Sequence, residues 1–539
     1  MKSFISPLLM LVTACVAPPP VVAVTTPETT PEPTTMMPPD PTEPGVCGDG
    51  VVDAPEECDE GKLNDDNGAC TNQCTIAACG DGLLYVGVEG CDDGNLEGSD
   101  GCSPDCLEPR ALSFLDADAR LFGGGEAAGF AGATLAGGAD FNGDGFDDVV
   151  VGAYLSRAVY VVHGPVVGNR ALAEADATLT SAQDWFGGYF AILDDASGTG
   201  LPDLAVGLIG NQFFGANTDV PVFAGPMTGD LSESDAVAEF AFGDEDNTVK
   251  EVATAGDTDG DGRDELLIST GEPTLGEPAV FVMESSVGTV ASGLANAVFV
   301  NDEASFSGSR YTPAPAGDLN RDGMDDIWIG ASRDDMNGPA SGGVYGFFGP
   351  LNGELTPNNA DVVLLGPAPD ARVGTRIAAA DINGDGQMDV VVSGASTNRM
   401  YLVYGPLGGV IDLSDADVII EPASADENFL SVVNAGDINA DGRDDILISG
   451  NNTALFNGEG AGVASLVLGP VRPGRLNVAD ADVRMTGSGS DDLNLQITKG
   501  GDVDGDGLGD IWVAAPSQTF TSTYAQGLIY FLSGQTLVR

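Results

Sequence analysis

Histidine and basic residues are scarce in this chain of 539 residues. His163 is the only histidine, and 20 lysines and arginines stand against 83 aspartates and glutamates, which gives a formal net charge of −63. Catalytic arrangements of the Ser-His-Asp and Cys-His types therefore have one possible base. The negative charge disfavours nucleic acid and anionic lipid as partners, so we predict no nucleic-acid binding. Such a charge excess suits saline surroundings, where screening acts within about 10 Å.

Helical periodicity and long apolar runs are also missing. No stretch has the sustained period of apolar residues that a helical solenoid requires. The N-terminal apolar run, from Phe4 to Val12, is too short to span a membrane as a helix. It follows the basic Lys2, so residues 1–14 are predicted to be an export signal.

The four residues from Val12 to Cys15 resemble the lipobox of bacterial lipoproteins. That resemblance implies cleavage before Cys15, whose thiol and new amine then carry lipid. The other eight cysteines form an even pattern, which leaves Cys15 apart from them. An ordinary secreted protein with an unpaired Cys15 is the alternative. Because no Asp follows Cys15, we predict a protein that is exported and lipid-anchored at the outer membrane or cell surface, and that contacts the membrane through its lipid alone.

A tether and a cysteine-rich module follow. Residues 15–45 are rich in proline and threonine and predict an extended, partly polyproline II stalk. Residues 46–107 hold two sets of four cysteines with similar spacing, and each set begins Cys-Gly-Asp-Gly. The cysteines are Cys47, Cys58, Cys70, Cys74, Cys79, Cys91, Cys102 and Cys106.

Disulfides are the expected use of these cysteines. The module has few large apolar residues, so covalent links must replace a core. Zinc is the competing use, and the export signal and abundant aspartate argue against it. Pairing within each set leaves three connectivities per set. The pattern resembles a disulfide-rich repeat of myxobacterial surface proteins.

An acidic loop recurs in the rest of the chain. In its first copy, which reads DFNGDGFDD from Asp140, oxygen-bearing side chains stand at positions 1, 3, 5 and 9, and Gly145 stands at position 6, where a loop around an ion turns sharply. Hard oxygen donors at this spacing suit calcium. An EF-hand has a glutamate at position 12, but Val151 stands there. A metal-free turn of Asp, Asn and Gly is the alternative.

Six copies of the loop are complete, so about six calcium ions are predicted. We expect the side chains at positions 1, 3, 5 and 9 and the backbone carbonyl at position 7 to bind the ion. These positions are Asp140, Asn142, Asp144, Phe146 and Asp148; Asp257, Asp259, Asp261, Arg263 and Glu265; Asp318, Asn320, Asp322, Met324 and Asp326; Asp381, Asn383, Asp385, Gln387 and Asp389; Asp437, Asn439, Asp441, Arg443 and Asp445; and Asp502, Asp504, Asp506, Leu508 and Asp510.

A decayed copy lies between the first two complete copies. It runs from Asp195 to Asp203, with Ser197 and Thr199 where acids belong, and should bind calcium weakly or not at all. The seven copies start 55 to 65 residues apart, as the positions 140, 195, 257, 318, 381, 437 and 502 show. A period near sixty indicates a repeated supersecondary unit.

Each unit over residues 110–539 has the same order of parts. An Ala-Asp-rich strand, as at Asp116–Asp118 and Asp415–Asp417, precedes a Phe-Gly pair or its relic; a small-residue strand, the loop, an apolar strand and a strand ending in Gly-Pro follow. Four short strands bounded by Gly and Pro predict a propeller blade. We therefore predict an all-β fold with seven blades, in which the N-terminal strand completes the last blade beside Leu528–Leu532 and removes open sheet edges.

The units resemble the FG-GAP repeats of the integrin α-subunit propeller. The resemblance rests on Phe122-Gly123, Phe186-Gly187, Phe242-Gly243 and Phe306-Ser307-Gly308, on the acidic loops, and on the Gly-Ala that follows them at Gly152-Ala153 and Gly330-Ala331. It implies seven blades with calcium in the loops that join the first two strands of a blade.

No catalytic set is recognised in the sequence, so we predict no enzyme. His163 precedes Gly164-Pro165 at a position that Phe348 and Tyr404 take in other units, which favours packing. We predict a calcium-stabilised display protein that binds or adheres to a surface protein or glycan. The alternatives are an enzyme acting on polysaccharide at the propeller centre and a purely structural surface protein. Fold alone does not decide among them.

Overall fold

The structure is a computed structural model that describes residues 47–538, apart from 53, 86–90, 93, 95–109, 124–128, 209–218, 243–247, 272–278, 285–286, 301–310, 456–459, 488–492 and 518–526. The export signal, Cys15, the tether, Cys102, Cys106, Gly243 and Phe306–Gly308 lie outside the described residues. Among the described residues, no helix is long and apolar enough to cross a membrane.

Short strands make up nearly all of the regular structure after residue 109. In chain order they are β1 (Arg110–Ser113), β2 (Ala119–Phe122), β3 (Thr134–Ala139), β4 (Asp148–Ala153), β5 (Ala158–Val162), β6 (Gly168–Ala171), β7 (Ala177–Thr180), β8 (Phe186–Leu193), β9 (Asp203–Leu208), β10 (Val220–Phe223), β11 (Gly229–Ser232), β12 (Ala238–Ala241), β13 (Thr248–Gly256), β14 (Glu265–Gly271), β15 (Ala279–Met283), β16 (Gly288–Ala291), β17 (Ala297–Val300), β18 (Tyr311–Gly317), β19 (Asp326–Ala331), β20 (Gly343–Phe347), β21 (Gly353–Leu355), β22 (Val362–Leu365), β23 (Val373–Ala380), β24 (Asp389–Gly394), β25 (Arg399–Val403), β26 (Gly409–Asp412), β27 (Val418–Glu421), β28 (Glu427–Gly436), β29 (Asp445–Asn452), β30 (Ala461–Val467), β31 (Gly474–Asn477), β32 (Val483–Thr486), β33 (Gln496–Gly501), β34 (Asp510–Ala515) and β35 (Leu528–Leu532). One short helix, α1 (Gly534–Val538), follows β35.

The strands form seven five-stranded sheets, which are the seven blades. Blade 1 has the order β3-β4-β5-β7-β11, and blades 2 to 6 begin with β8, β13, β18, β23 and β28. Blade 7 has the order β33-β34-β35-β2-β6. The predicted all-β propeller with seven blades is confirmed.

Each blade has one strand more than the sequence predicted. The first four strands are antiparallel, as in the pairings of β3, β4, β5 and β7. The fifth strand is short, pairs in parallel with the fourth, and comes from the segment that leads into the next blade, as β11 does in blade 1. The predicted Ala-Asp-rich strand is therefore wrong in detail. Asp116 and Asp415 end single 3₁₀ turns that separate this parallel strand from the next blade's fourth strand.

The N-terminal end of the propeller completes the last blades. Strand β2 pairs antiparallel with β35, with Ala119 opposite Phe531, and so becomes the fourth strand of blade 7. Strand β1 pairs in parallel with β32 at the edge of blade 6. The predicted closure is confirmed, and both ends of the repeat array are joined by hydrogen bonds.

Apolar side chains pack between neighbouring blades. The second strand of each blade is buried on both faces over its first six residues, as in β4 and β34. Clusters of buried residues join adjacent blades, for example where Trp512 of blade 7 lies with Val149 and Val151 of blade 1. Fully burying one such side chain contributes roughly 1.5–3 kcal/mol. The core is thus a ring of interfaces between blades.

Two disulfides hold the first cysteine repeat. Cys47 is bonded to Cys74, and Cys58 to Cys70, with Cα–Cα distances of 5.6 and 5.9 Å. Cys79 and Cys91 are also disulfide-bonded. The disulfide hypothesis is therefore confirmed over zinc for the described cysteines, and the first repeat pairs its outer cysteines with each other and its inner cysteines with each other.

Candidate metal centre

The seven acidic loops occupy equivalent places in the propeller. Each loop joins the first strand of a blade to the second, as residues 140–148 do between β3 and β4. The first strands of neighbouring blades pack against one another, for example β3 against β33. Neighbouring loops lie side by side and are joined by backbone hydrogen bonds, such as the one from Asp325 N to the carbonyl of Asp257. The loops lie where the resemblance to integrin α-subunits implied.

The aspartate at position 1 gathers the backbone of its own loop. In the first loop, Asp140 Oδ1 accepts hydrogen bonds from the N–H groups of Gly143 and Asp144 at 2.6 and 3.2 Å, and Oδ2 accepts from Gly145 at 2.7 Å. The bond from position 6 recurs in all six complete loops. Gly145 has φ +91°, which glycine adopts without strain. The loop therefore wraps around the position-1 carboxylate.

Positions 3 and 5 form a chain of turns around the same centre. Asn142 Oδ1 accepts from Asp144 N at 2.8 Å, and Asp144 Oδ1 accepts from Phe146 N at 3.0 Å. The bond from the backbone N–H of position 7 to the carboxylate of position 5 is present in all six complete loops. These bonds order the turn. The acids that converge are those of positions 1, 3 and 9, in the loops at Asp257 and Asp502.

The acid at position 9 is fully buried and clamps the loop to the blade. Asp148 Oδ2 accepts from Phe141 N at 2.8 Å, and Oδ1 accepts from Gly164 N at 2.9 Å. Gly164 belongs to the Gly-Pro pair that ends the third strand, so the acidic loop and the Gly-Pro signal form one unit. The same bond from glycine is made to Asp326, Asp389, Asp445 and Asp510.

Burial changes the protonation of these position-9 acids. Desolvation, together with the charge of nearby loop aspartates, raises the pKa to about 7 for Asp148, Glu265, Asp326, Asp389 and Asp510 and to about 8 for Asp445. A buried carboxylate surrounded by carboxylates is stabilised when a cation lies among them.

Side-chain oxygens that the protein itself leaves unsatisfied occur in two of the complete loops, and Asp195 Oδ1 is a third case in the decayed loop. Glu265 is fully buried, and its Oε1 has no hydrogen-bond partner. Oxygen atoms of Asp257, Asp259 and Glu265 all lie within 4.8 Å of one another, and the same holds for Asp502, Asp504 and Asp510. Asp502 Oδ1 also lacks a partner. Converging oxygen atoms, buried and unpaired, fit a calcium ion.

The decayed loop satisfies its buried acid without an ion. Ser197 donates to Asp203 through both its hydroxyl, at 2.9 Å to Oδ1, and its backbone N–H, at 2.6 Å to Oδ2. Gly225 N also donates to Asp203 Oδ1, at 3.3 Å. Protein hydrogen bonds from position 3 thus satisfy both oxygens of Asp203, and Ser197 and Thr199 leave the loop with fewer carboxylates than the complete copies, in keeping with the prediction of weak or absent binding.

An acid at position 8 was missed in the sequence. Asp147, Asp264, Asp325 and Asp444 stand there, each directly before the position-9 acid. The carboxylate of each aspartate points away from its own loop. It accepts a hydrogen bond from the backbone of the preceding blade's loop region. The adjacent acids in DD and DE pairs were the available signal.

His163 lies where the sequence placed it, directly after the third strand of blade 1. Its backbone N–H donates to Asp176 at 2.9 Å, as Phe348 N and Tyr404 N donate to Asp361 and Asp417. Its Nε2 lies 4.0 Å from Asp148 Oδ2. The repeated backbone contact identifies this position as structural.

The fold and the loops together define a class: a seven-bladed β-propeller whose blades each present an acidic loop between the first two strands. The chain carries FG-GAP repeats. The family model "FG-GAP-like repeat" matches residues 381–448, and "FG-GAP repeat" matches residues 131–162. The model "Domain of unknown function (DUF4215)" matches residues 68–107, within the cysteine-rich module.

Two curated relatives share the name phosphatidylinositol-glycan-specific phospholipase D. The protein of Rattus norvegicus is 27% identical over 361 residues, which are 58% of this chain and 42% of the relative. The protein of Mus musculus is 27% identical over 362 residues, with the same shares. The chain therefore matches less than half the length of these relatives.

Proposed function

We propose that this protein is a calcium-stabilised propeller that displays a binding surface for a protein or glycan outside the cell. Calcium would be held by positions 1, 3, 5 and 9 of the six complete loops, with the carbonyl at position 7. The ion supplies positive charge to carboxylates that otherwise repel one another inside a short turn. The observation that carries this proposal is Glu265, whose Oε1 is buried and unpaired and whose carboxylate lies in a cluster of oxygen atoms with Asp257 and Asp259.

Calorimetric titration of the chelator-treated chain with calcium tests the metal part. We expect about six ions per chain. The variant Asp385→Ala should remove one ion, because position 5 is a ligand, and Ser197→Ala in the decayed loop should leave the count unchanged. A stoichiometry near zero would show that the loops are plain turns.

A surface-binding role rests on the architecture and on the charge. The loops between the first two strands of the seven blades lie side by side, and the net charge of −63 favours neutral or basic partners over anionic ones. Pull-down of surface proteins and glycans with and without calcium tests this role. We expect capture that needs calcium and that fails with the Asp385→Ala, Asp144→Ala double variant. Equal capture in chelator would contradict it.

Lipid anchoring at Cys15 is the second part of the proposal. Two or three acyl chains hold a protein stably, whereas one chain binds marginally. We expect Cys15→Ser to release the protein from membranes in soluble form, while a Cys58→Ser, Cys70→Ser control stays attached. Mass spectrometry that finds unmodified Cys15 in the mature membrane-associated protein would overturn it.

A catalytic role is supported here only by the name of the relatives. Phospholipase chemistry is their printed activity, and the chain spans 42% of their length. The sole histidine contributes its backbone to a repeated structural contact. We therefore propose display rather than catalysis, and an assay for release of phosphatidylinositol-glycan anchors by the purified chain tests the alternative directly.

A further inference from the structure

Three of the position-8 aspartates reach from their own blade into the preceding one. Asp325 Oδ2 accepts from Asp257 N at 3.0 Å, Asp444 Oδ2 accepts from Asp381 N at 2.9 Å, and Asp147 Oδ2 accepts from Asp502 N at 2.8 Å. In each case the donor is position 1 of the preceding blade's loop. Blade 7 precedes blade 1 because the propeller is closed.

Backbone bonds run in the opposite direction at the same three places. The N–H groups of Asp325, Asp444 and Asp147 donate to the carbonyls of Asp257, Asp381 and Asp502 at 2.9, 3.0 and 3.2 Å. The position-8 residue and the neighbouring position-1 residue therefore exchange two hydrogen bonds. Position 1 is the residue whose carboxylate gathers its loop, so its orientation is set from the following blade.

Glycines make room for two of these side chains. A Cβ atom on Gly256 would lie 2.2 Å from Asp325 Oδ2, and one on Gly501 would lie 1.9 Å from Asp147 Oδ2. Both glycines directly precede position 1 and have positive φ, +75° and +73°. The backbone before these loops thus has the shape that admits the neighbour's carboxylate.

The six complete loops divide into two sets. Those beginning at Asp257, Asp381 and Asp502 receive an aspartate from the next blade. Those beginning at Asp140, Asp318 and Asp437 face Pro202, Met388 and Gly509 at position 8, which carry no carboxylate. Linked and unlinked loops alternate among the complete copies.

We propose that Asp147, Asp325 and Asp444 are positioning residues for the calcium site of the preceding blade, so that the linked sites bind calcium more tightly than the unlinked ones. This inference rests on the proposed calcium binding. The aspartate fixes the main chain of position 1 before the ion arrives and adds a negative charge beside the site. Both effects favour the bound cation.

Ligand charge also differs between loops and must be held constant in a test. The loops at Asp257 and Asp502 have an acid at position 3, whereas the other four have asparagine. Acid count by itself changes calcium affinity. The linked loop at Asp381 and the unlinked loop at Asp318 both have Asp, Asn, Asp and Asp at positions 1, 3, 5 and 9, so these two form the matched pair.

Calorimetric titration of calcium into the chelator-treated full chain compares two position-8 variants. Asp444→Ala removes the link to the Asp381 loop, and we expect about a tenfold weaker affinity at one of six sites, as loss of a hydrogen bond to a charged group would cause. Met388→Ala removes a side chain of the same position that makes no such link, and all six affinities should stay. Equal effects of the two variants would overturn the proposal.

A double-variant cycle shows which site responds. With the Asp381 site removed by Asp385→Ala, adding Asp444→Ala should cause no further loss. With the site of its own loop removed by Asp441→Ala, the tenfold loss should remain. The reverse pattern would assign Asp444 to its own loop and overturn the proposal.

The variant Met388→Asp tests the proposal by adding a link to the unlinked loop at Asp318. It leaves the contacts of the linked sites unchanged. It places a carboxylate opposite Gly317, which has φ +64° like the glycines of linked loops. We expect about tenfold tighter binding at one site. An unchanged isotherm would contradict the inference while six bound ions still supported the proposed function. If the wild-type chain bound no calcium, the proposed function itself would fail.

Discussion

The cysteine-rich module and the propeller use aspartate in the same way but are held together differently. In the module, Asp59 Oδ2 accepts from the N–H groups of Gly48, Asp49 and Gly50, each at 3.0 Å, which folds the Cys-Gly-Asp-Gly turn around it. In the propeller, Asp140 gathers its loop through equivalent bonds. An aspartate that collects backbone N–H groups is therefore a general way to shape a turn.

What surrounds the aspartate separates the two regions. The described part of the module buries few side chains, chiefly Cys70, Cys74, Thr71 and Ala77, and disulfides cross-link it. The propeller has no cysteine and a ring of apolar clusters, and its loops bring several buried carboxylates together. The stability of the module is limited by the small size of its core. The stability of the propeller is limited by repulsion among its carboxylates. Reducing agent and chelator should therefore act on different regions.

Chelation should produce the largest effect, and it should act on the propeller. At a calcium concentration a hundredfold above the dissociation constant, each independent site adds up to ~2.7 kcal/mol to the free energy of unfolding. The sum over several sites is large compared with a domain stability of roughly 5–15 kcal/mol. We expect the melting temperature of the propeller to fall by roughly 10 °C or more in chelator. Scanning calorimetry with excess calcium and with excess chelator measures this, and coincident traces would contradict it.

Reduction should act on the module alone. Loss of native disulfides in a small domain typically costs about 2–5 kcal/mol, which the module's small core cannot replace. We expect a reducing agent to make residues 47–85 sensitive to protease while the calcium-loaded propeller keeps its melting temperature. A propeller that melts earlier after reduction would show that the two regions are not independent.

Single-loop variants should have intermediate effects. Asp144→Ala removes a carboxylate at position 5, so one site should be lost along with up to ~2.7 kcal/mol of calcium-dependent stability. Ser197→Ala changes the decayed loop and should leave the calcium-dependent part of stability as it was. Thermal melts of both variants at several calcium concentrations make the comparison, and equal calcium dependence in the two variants would sink it.

The smallest effect concerns pH and the metal-free propeller. Burial raises the pKa of the position-9 acids Asp148 and Asp326 to about 7 in the folded chain, above the usual value of 3.8 for aspartate. Between these values the folded chain binds more protons than the unfolded chain, so stability falls as pH rises toward 7. We expect the melting temperature in chelator to be higher at pH 5.5 than at pH 8. With calcium bound the carboxylates are paired with the cation, and this acid stabilisation should disappear.

The sequence predicted the blades because their signals are local and repeated. Each acidic loop marks the end of a first strand, and each Gly-Pro pair marks the end of a third strand. The parallel fifth strands gave a weaker signal: Gly229–Ser232 and Gly288–Ala291 lie at sheet edges, are largely exposed and have no apolar alternation, and their one shared feature is the glycine that begins six of the seven. The sequence also could not predict which distant residues come into contact after folding. Spacing left three connectivities for the first four cysteines, and the DD pairs do not reveal that Asp325 acts on Asp257.

The closure by β1 and β2 determines where mechanical force enters the propeller. Any pull on the chain before Arg110 reaches β1 first, a four-residue strand at the edge of blade 6, which Arg110 also fastens through a hydrogen bond to the carbonyl of Thr536. Only after β1 detaches does tension pass to β2, which lies inside blade 7 between β35 and β6. Separation of β2 from β35 would leave blade 7 with an open edge. Because β1 must detach before β2 is loaded, β1 protects the closed propeller. A protein pulled from its N-terminal side should therefore fail in two steps, with the weaker step first.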